Sequence, residues 1–86
     1  MKEVEVGHVA DYFKKIGVVA IEVTKGEIAV DDTLHFFGHT TDFNQHVESM
    51  QLEHEKVEKA SVGDTIGIRV SERVRTHDKV YKILED

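Results

Sequence analysis

The stretch Ile16–Gly38 constrains the fold more than any other part of the chain. In its first half Val19, Ile21 and Val23 alternate with small or polar residues, which is the two-residue period of a β-strand with one buried face. A Lys-Gly-Glu turn follows, and the alternation resumes at positions 28–30 and 34–36 before Gly38 ends it. The stretch therefore predicts three strands joined by two tight turns.

The rest of the chain follows the same rhythm. Positions 4–13 predict an opening strand bent at Gly7, because a glycine inside a strand often marks a bulge. Positions 66–70 and 80–84 predict two further strands. Positions 43–52 also predict a strand, although Val47 and Met50 are three residues apart. We expect a bulge near Glu48-Ser49 to bring both side chains to the core, and a helix over 47–52 is the alternative.

Two turns repeat one pattern. Val30-Asp31-Asp32-Thr33-Leu34 and Val62-Gly63-Asp64-Thr65-Ile66 share the sequence Val-x-Asp-Thr-aliphatic. We expect the aspartate before the threonine to accept hydrogen bonds from nearby backbone amides, while Asp31 or Gly63 takes the unusual positive φ. Two such corners suit two related halves of one barrel.

Short strands separated by turn signals every 8–12 residues, without a convincing helix, indicate an antiparallel barrel or sandwich. Closure removes unpaired edges, so we predict an all-β chain whose residues 1–86 form a single domain, a small closed antiparallel β-barrel of six or seven strands. The chain has no cysteine, hence no disulfide framework. It has no apolar run of about 20 residues and no apolar leader at its start, so no membrane association is expected. A cytoplasmic location is the simplest interpretation.

Charge is unevenly distributed along the chain, whose formal net charge is −6. Residues 26–64 hold nine acidic residues against two lysines, whereas residues 65–86 carry a net charge of +1. An acidic chain disfavours non-specific nucleic-acid binding, which depends on neutralising phosphates. A local basic surface near the carboxyl end is still compatible with the sequence.

Two sets of residues resemble known families. Gly17-Val18-Val19, Ile21-Glu22-Val23-x-x-Gly26, Val30-x-Asp32-x-Leu34 and Ala60-x-x-Gly63-Asp64-x-Ile66-Gly67-Ile68 are similar to the second domain of elongation factor Tu and other translational GTPases. Phe37-Gly38 with Asp42-Phe43-x-Gln45-x-Val47-x-x-Met50 resembles the carboxy-terminal barrel of collagenase-like peptidase-family proteins. The chain most resembles the free-standing translation elongation factor-like proteins. These likenesses imply a closed barrel and an association with RNA or the translation apparatus.

The chain also departs from these families. It has no Gly-x-x-x-x-Gly-Lys-Ser/Thr loop, so GTP binding is not expected. Positions 70–72 read Val-Ser-Glu where the full-length factors typically carry Leu-Arg-Gly, which weakens the case for transfer-RNA binding. Some members of the collagenase-like peptidase family are linked to hydroxylation of ribosomal or transfer RNA. The peptidase-like catalytic domain is absent from the sequence, so the resemblance carries over neither proteolysis nor that hydroxylation.

Residue types that could carry chemistry do not form a recognised constellation. The six histidines are scattered without zinc-ligand spacing: His8, His35, His39, His46, His54 and His77. Four aspartates lie in or near turn sequences, where aspartate is favoured for local hydrogen bonding: Asp31, Asp32, Asp42 and Asp64. No serine has a Gly-x-Ser-x-Gly context. We therefore predict no catalytic residues, no metal and no cofactor.

Basic residues near the carboxyl end are the candidate binding residues: Arg69, Arg73, Arg75, Lys79 and Lys82. Arginines on one face of an extended segment can bind phosphates or carboxylates, which favours a non-catalytic module for RNA or a ribosome-associated component. Alternatively these residues neutralise the chain's own acidic middle. A second hypothesis is a protein–protein adaptor, whose acidic segment Glu48–Glu58 meets a basic partner such as a separate catalytic subunit. A third is a barrel that binds a small molecule or metal.

Overall fold

The computed structural model describes residues 2–85, and the elements formed by these residues are all β-strands. Alternating aliphatic residues and turn residues at positive φ produce this arrangement, as the sequence predicts. The strands are β1 (Lys2–Phe13), β2 (Val18–Val23), β3 (Glu27–Ala29), β4 (Thr33–Phe37), β5 (Asp42–His46), β6 (Met50–Leu52), β7 (Glu55–Val57), β8 (Lys59–Ser61), β9 (Thr65–Arg69) and β10 (Lys79–Leu84). Among residues 2–85 no helix is long and apolar enough to cross a membrane.

Eight strands form one antiparallel sheet in the order β5-β4-β10-β1-β2-β9-β6-β7, and β3 pairs with β8 in a small second sheet. The long strand β1 lies near the middle and pairs with β10 on one side and β2 on the other. Strands β5 and β7 are the two ends of the large sheet.

The core lies on one side of the large sheet. Phe43 of β5 and Met50 of β6, which come from opposite parts of the strand order, belong to the same buried cluster. An eight-stranded sheet can bring such distant strands onto one cluster only by coiling around it. Phe36 stacks on Phe43 in this core, with ring centroids 5.2 Å apart.

The predicted all-β class is confirmed, but a closed barrel of six or seven strands is not found in residues 2–85. The described strands number ten because the chain breaks several of the expected strands into short pieces. No backbone ladder joins the ends of the large sheet within this range, and β5 and β7 remain edges. Across the gap beside β5, the backbone amide of Ser71 donates to the side-chain oxygen of Gln45 at 2.8 Å.

The predicted continuous strand over positions 43–52 is wrong, and so is the helical alternative. Strand β5 ends at His46 and β6 begins at Met50. The amide of Val47 donates to Asp32 O and its carbonyl accepts from the amide of Asp31, at 2.9 and 2.8 Å. Because these groups are used at the corner before β4, the ladder stops there. Val47 and Met50 still both reach the core, as expected.

The repeated aspartate corner is confirmed, and a third copy is present. Asp32 and Asp64 each accept a hydrogen bond from the amide three residues earlier, at 2.7 and 2.9 Å. Asp31 and Gly63 have φ of 79° and 97°. Asp78 makes the same contact with the amide of Arg75 at 2.8 Å, and the residue before Asp78 has φ of 77°. The third copy was not recognised in the sequence, because this corner lacks the valine and threonine that flank the aspartate in the other two.

The mostly polar residues 71–75, between β9 and β10, contribute one side chain to the core. Val74 is buried at 2% exposure, while Arg73 and Arg75 on either side are exposed. The alternation of charged and aliphatic residues in this segment indicates that Val74 is buried. The charged residues around it made that alternation easy to miss. The bulge predicted at Gly7 is confirmed, since the β1–β10 register shifts between Glu5 and Gly7.

Candidate partner-binding surfaces

The five basic residues predicted to form a binding site differ in their surroundings. The Lys79 ammonium is 3.8 Å from the Glu5 carboxylate, and the Lys82 ammonium is 3.1 Å from Asp32 Oδ2. Lys82 also donates to the carbonyl of Glu27 at 3.2 Å. Lys82 therefore neutralises part of the acidic middle of the chain. This agrees with the alternative role for the basic residues, which is to balance the chain's own acidic residues.

The three predicted arginines have no ion pair among residues 2–85. Arg69, at the end of β9, lines a cavity of about 230 Å³ together with Gln45, Ser49 and Ser71. This cavity lies beside the edge strand β5, next to the hydrogen bond between Ser71 and Gln45. Arg73 and Arg75 lie in the connection before β10 and are exposed.

Arg75 and Lys79 line an open groove that also contains Phe37 and Tyr81. We call it the aromatic groove, and its volume is about 790 Å³. Phe37 is 47% exposed, and the β4–β10 register places it directly opposite Lys79. Exposed rings beside cations are a surface that can bind an anionic or aromatic group.

His35 is held between two carboxylates on the outer face of the sheet. Its Nδ1 is 2.6 Å from Glu3 Oε1, and its Nε2 is 2.6 Å from Asp42 Oδ1. Partial burial acts to lower the pKa of His35, but the hydrogen bonds to Asp42 and Glu3, with the negative charges of both, outweigh it and raise the pKa above 6.5. Both ring nitrogens can donate only when the imidazole is protonated.

This bridge predicts a pH dependence of stability. A pKa raised on folding means that His35 adds stability fully below pH 6.5 and loses it as the pH rises through the raised value. We therefore expect the free energy of unfolding to fall above about pH 6.5, and we expect His35→Gln to flatten that part of the profile. Urea unfolding from pH 5.5 to 8.5 measures it, and NMR titration of the ring checks the pKa. Equal slopes for both proteins would contradict the prediction.

A second open surface lies on the outer face of β2 and β9. It has a volume of about 420 Å³, and most of its lining is apolar. The apolar lining residues are Phe13, Ile16, Val18, Ala20, Ile66 and Gly67, and the polar ones are Gln51, Glu53, His54 and Thr65. We call it the apolar trough. Solvent-facing sides of antiparallel strands are normally polar, so an apolar surface here is unusual.

Sequence reasoning missed both the His35 bridge and the apolar trough. His35 and Asp42 are joined through the β4–β5 hairpin, but Glu3 lies 32 residues from His35 and meets it only through the strand order. The trough had a readable signal, since Val18, Ala20 and Gly67 occupy positions that the alternation assigns to the outer face. Among the described residues no group of three potential ligands could hold a metal ion.

Comparison with known proteins shows that the chain is similar to part of an uncharacterized protease and to part of a collagenase. It is 34% identical over 85 residues to an uncharacterized protease of Methanocaldococcus jannaschii, which covers 98% of this chain and 21% of that protein. It is 38% identical over 82 residues to a collagenase of Porphyromonas gingivalis, covering 94% of this chain and 20% of the collagenase. The chain thus spans about a fifth of the length of the curated relatives it matches. No protein-family model matches the chain.

The fold is shared with a domain solved on its own. Two crystal structures of the C-terminal domain of a candidate U32 peptidase from Geobacillus thermoleovorans superimpose with TM-scores of 0.83 and 0.85 at 18% identity. The first covers 90% of this chain and 96% of that domain. The predicted collagenase-like resemblance is therefore supported. None of these relatives is a translation factor, and the resemblance to elongation factor Tu stays a prediction.

Proposed function

We propose that this chain is a non-catalytic accessory domain that binds a separate protein, the catalytic subunit of a collagenase-type protease. One observation carries the proposal: almost the whole chain matches a region that makes up only a fifth of its relatives. In those relatives about four fifths of the protein lies outside the matched region. A domain of this kind contributes a binding surface, and the chemistry belongs to its partner.

The proposal predicts a direct and RNA-independent complex. A tagged form of the chain should retain a purified collagenase-type protease encoded in the same genome, with equal yield before and after ribonuclease treatment. Light scattering on the eluted complex gives its mass and stoichiometry. Failure of the two purified proteins to associate would overturn the proposal, because the proposed complex needs no third component.

RNA binding is a second candidate function, favoured by the position of two arginines. Arg73 and Arg75 are exposed on either side of the buried Val74 and have no ion pair among the described residues. Arg75 and the exposed Phe37 both line the aromatic groove. Aromatic rings beside guanidinium groups are a common way of holding single-stranded nucleic acid.

The double substitution Arg73→Glu with Arg75→Glu tests this second candidate. If the arginines contact phosphates, RNA that co-purifies with the chain should fall by about tenfold or more, because two attractive contacts become repulsive. Lys14→Glu with Lys15→Glu is the control, since it makes the same charge change in the turn between β1 and β2. RNA yields measured from both variants decide the question, and equal retention would remove the support for RNA binding.

A further inference from the structure

We infer that the apolar trough is the docking surface for the partner protein, and that the partner inserts an apolar side chain over Gly67. This inference rests on the proposed function and specifies where the two proteins meet. It concerns the outer face of β2 and β9, which does not include the two arginines considered for RNA, Arg73 and Arg75.

Gly67 has no role inside the chain that requires glycine. Its φ is not positive, and a Cβ built on it would meet only Val18 Cγ1, at an ordinary distance of 3.6 Å. Gly7 is different, because a Cβ there would lie 2.1 Å from the carbonyl oxygen of Glu22. A glycine within a strand weakens the strand, and one common reason for it is the close approach of another molecule. The open space beside Gly67 is on the outer face.

The apolar part of the trough is accessible to a partner. Phe13 is 47% exposed and Ile16 is 60% exposed, and they border the outward side chains of Val18 and Ala20. The outward residues beyond the trough on the same two strands are charged, Glu22 on β2 and Arg69 on β9. An apolar floor with charged positions at both ends is the arrangement of a protein–protein contact, with an apolar centre and a polar rim.

The relatives identify the kind of occupant. Their remaining four fifths is a large protein body that must contact the matched region or be tethered to it. The corresponding domain of the candidate U32 peptidase was crystallised on its own, so this fold forms without the rest of the protein. The contact is therefore a docking of two folded surfaces, which typically buries about 600–1,500 Å² between domains. Because Gly67 has no side chain, the trough has space at that position for an aliphatic or aromatic side chain of the partner.

The substitution Gly67→Leu tests the docking surface. It fills the trough from within, and its Cβ would meet only Val18 Cγ1 at 3.6 Å, so we expect the thermal midpoint to stay unchanged or rise. The control is Asn44→Leu, which adds similar bulk to an exposed position on β5, outside the trough. The probe is the purified collagenase-type protease of the same genome, with affinity measured by calorimetry. We expect wild type and Asn44→Leu to bind equally, and Gly67→Leu to bind about tenfold more weakly or not at all.

The outcomes separate this inference from the function on which it rests. If wild type binds and Gly67→Leu binds equally well, the docking surface is wrong while the accessory function stands. If wild type does not bind, the accessory function itself is wrong. Should Gly67→Leu fail to fold, Ile16→Glu replaces it, because that side chain is in an exposed turn. Unchanged affinity of a folded Ile16→Glu variant would likewise overturn the docking surface.

Discussion

Gly7→Ala is expected to lower the free energy of unfolding by about 3 kcal/mol, close to the upper end for overpacking a rigid site. A Cβ at this position would lie 2.1 Å from the carbonyl oxygen of Glu22 and 3.1 Å from its carbonyl carbon. These atoms belong to the neighbouring strand β2, so the clash is relieved only by moving backbone. Gly7 also sits where the β1–β10 register shifts, and its displacement would disturb both neighbours of β1.

The matched control is Gly67→Ala, another strand glycine with ordinary φ. Its Cβ has space, so we expect a free energy of unfolding equal to or above that of wild type. Urea unfolding measures both variants. The Gly7 variant should also show a thermal midpoint lower by about 15 °C, given the usual scaling for a domain of this size. A Gly7→Ala protein within about 1 kcal/mol of wild type would show that the bulge relaxes easily.

Phe36→Ala is the second large effect, with an expected loss of about 4 kcal/mol in the free energy of unfolding. Phe36 is fully buried and stacks on Phe43, the inward residue opposite it on β5. Removing the ring leaves a cavity where β4 and β5 meet the core. The rest of a close-packed interior fills such a cavity only partly.

The adjacent Phe37 provides the control for Phe36, because successive residues of a strand face opposite sides. Phe37 is 47% exposed, and its ring contacts His35 with centroids 5.8 Å apart. We expect Phe37→Ala to cost about 0.5 kcal/mol, the usual size for an exposed position. Urea unfolding of the two variants compares them directly. Similar losses for both would mean that β4 does not present one buried and one exposed face.

Much of the fold was predictable because its causes are local. Alternation at Val19, Ile21 and Val23 requires only that strand residues face opposite sides in turn. The corners at Asp32 and Asp64 depend on contacts within four residues of each other. The break between β5 and β6 was not predictable in the same way. It depends on Val47 meeting the backbone before β4, which is a contact between separate parts of the chain.

The candidate surfaces were likewise predictable only where their causes are local in the sequence. Sequence alone selected the basic residues by type and order, but it could not show that Lys79 and Lys82 have acidic neighbours while Arg69 lies at the gap beside β5. The sequence places Gly67 on the outer face of a predicted strand, but it does not show whether packing requires a glycine there. A Cβ at Gly67 would have free space beside Val18, so packing does not require glycine there. A Cβ at Gly7 would clash with the backbone of Glu22, so packing does require glycine at that position.

By itself, then, the sequence determined the all-β class, most strands and the aspartate corners, because hydrophobic alternation and turn chemistry act between near neighbours. Tertiary structure alone decided that the sheet stays open at β5, that His35 bridges Glu3 and Asp42, and that Phe13 and Ile16 border an apolar trough. These features join residues far apart in the chain. Strand order and register bring such residues together, and no short stretch of sequence specifies either one.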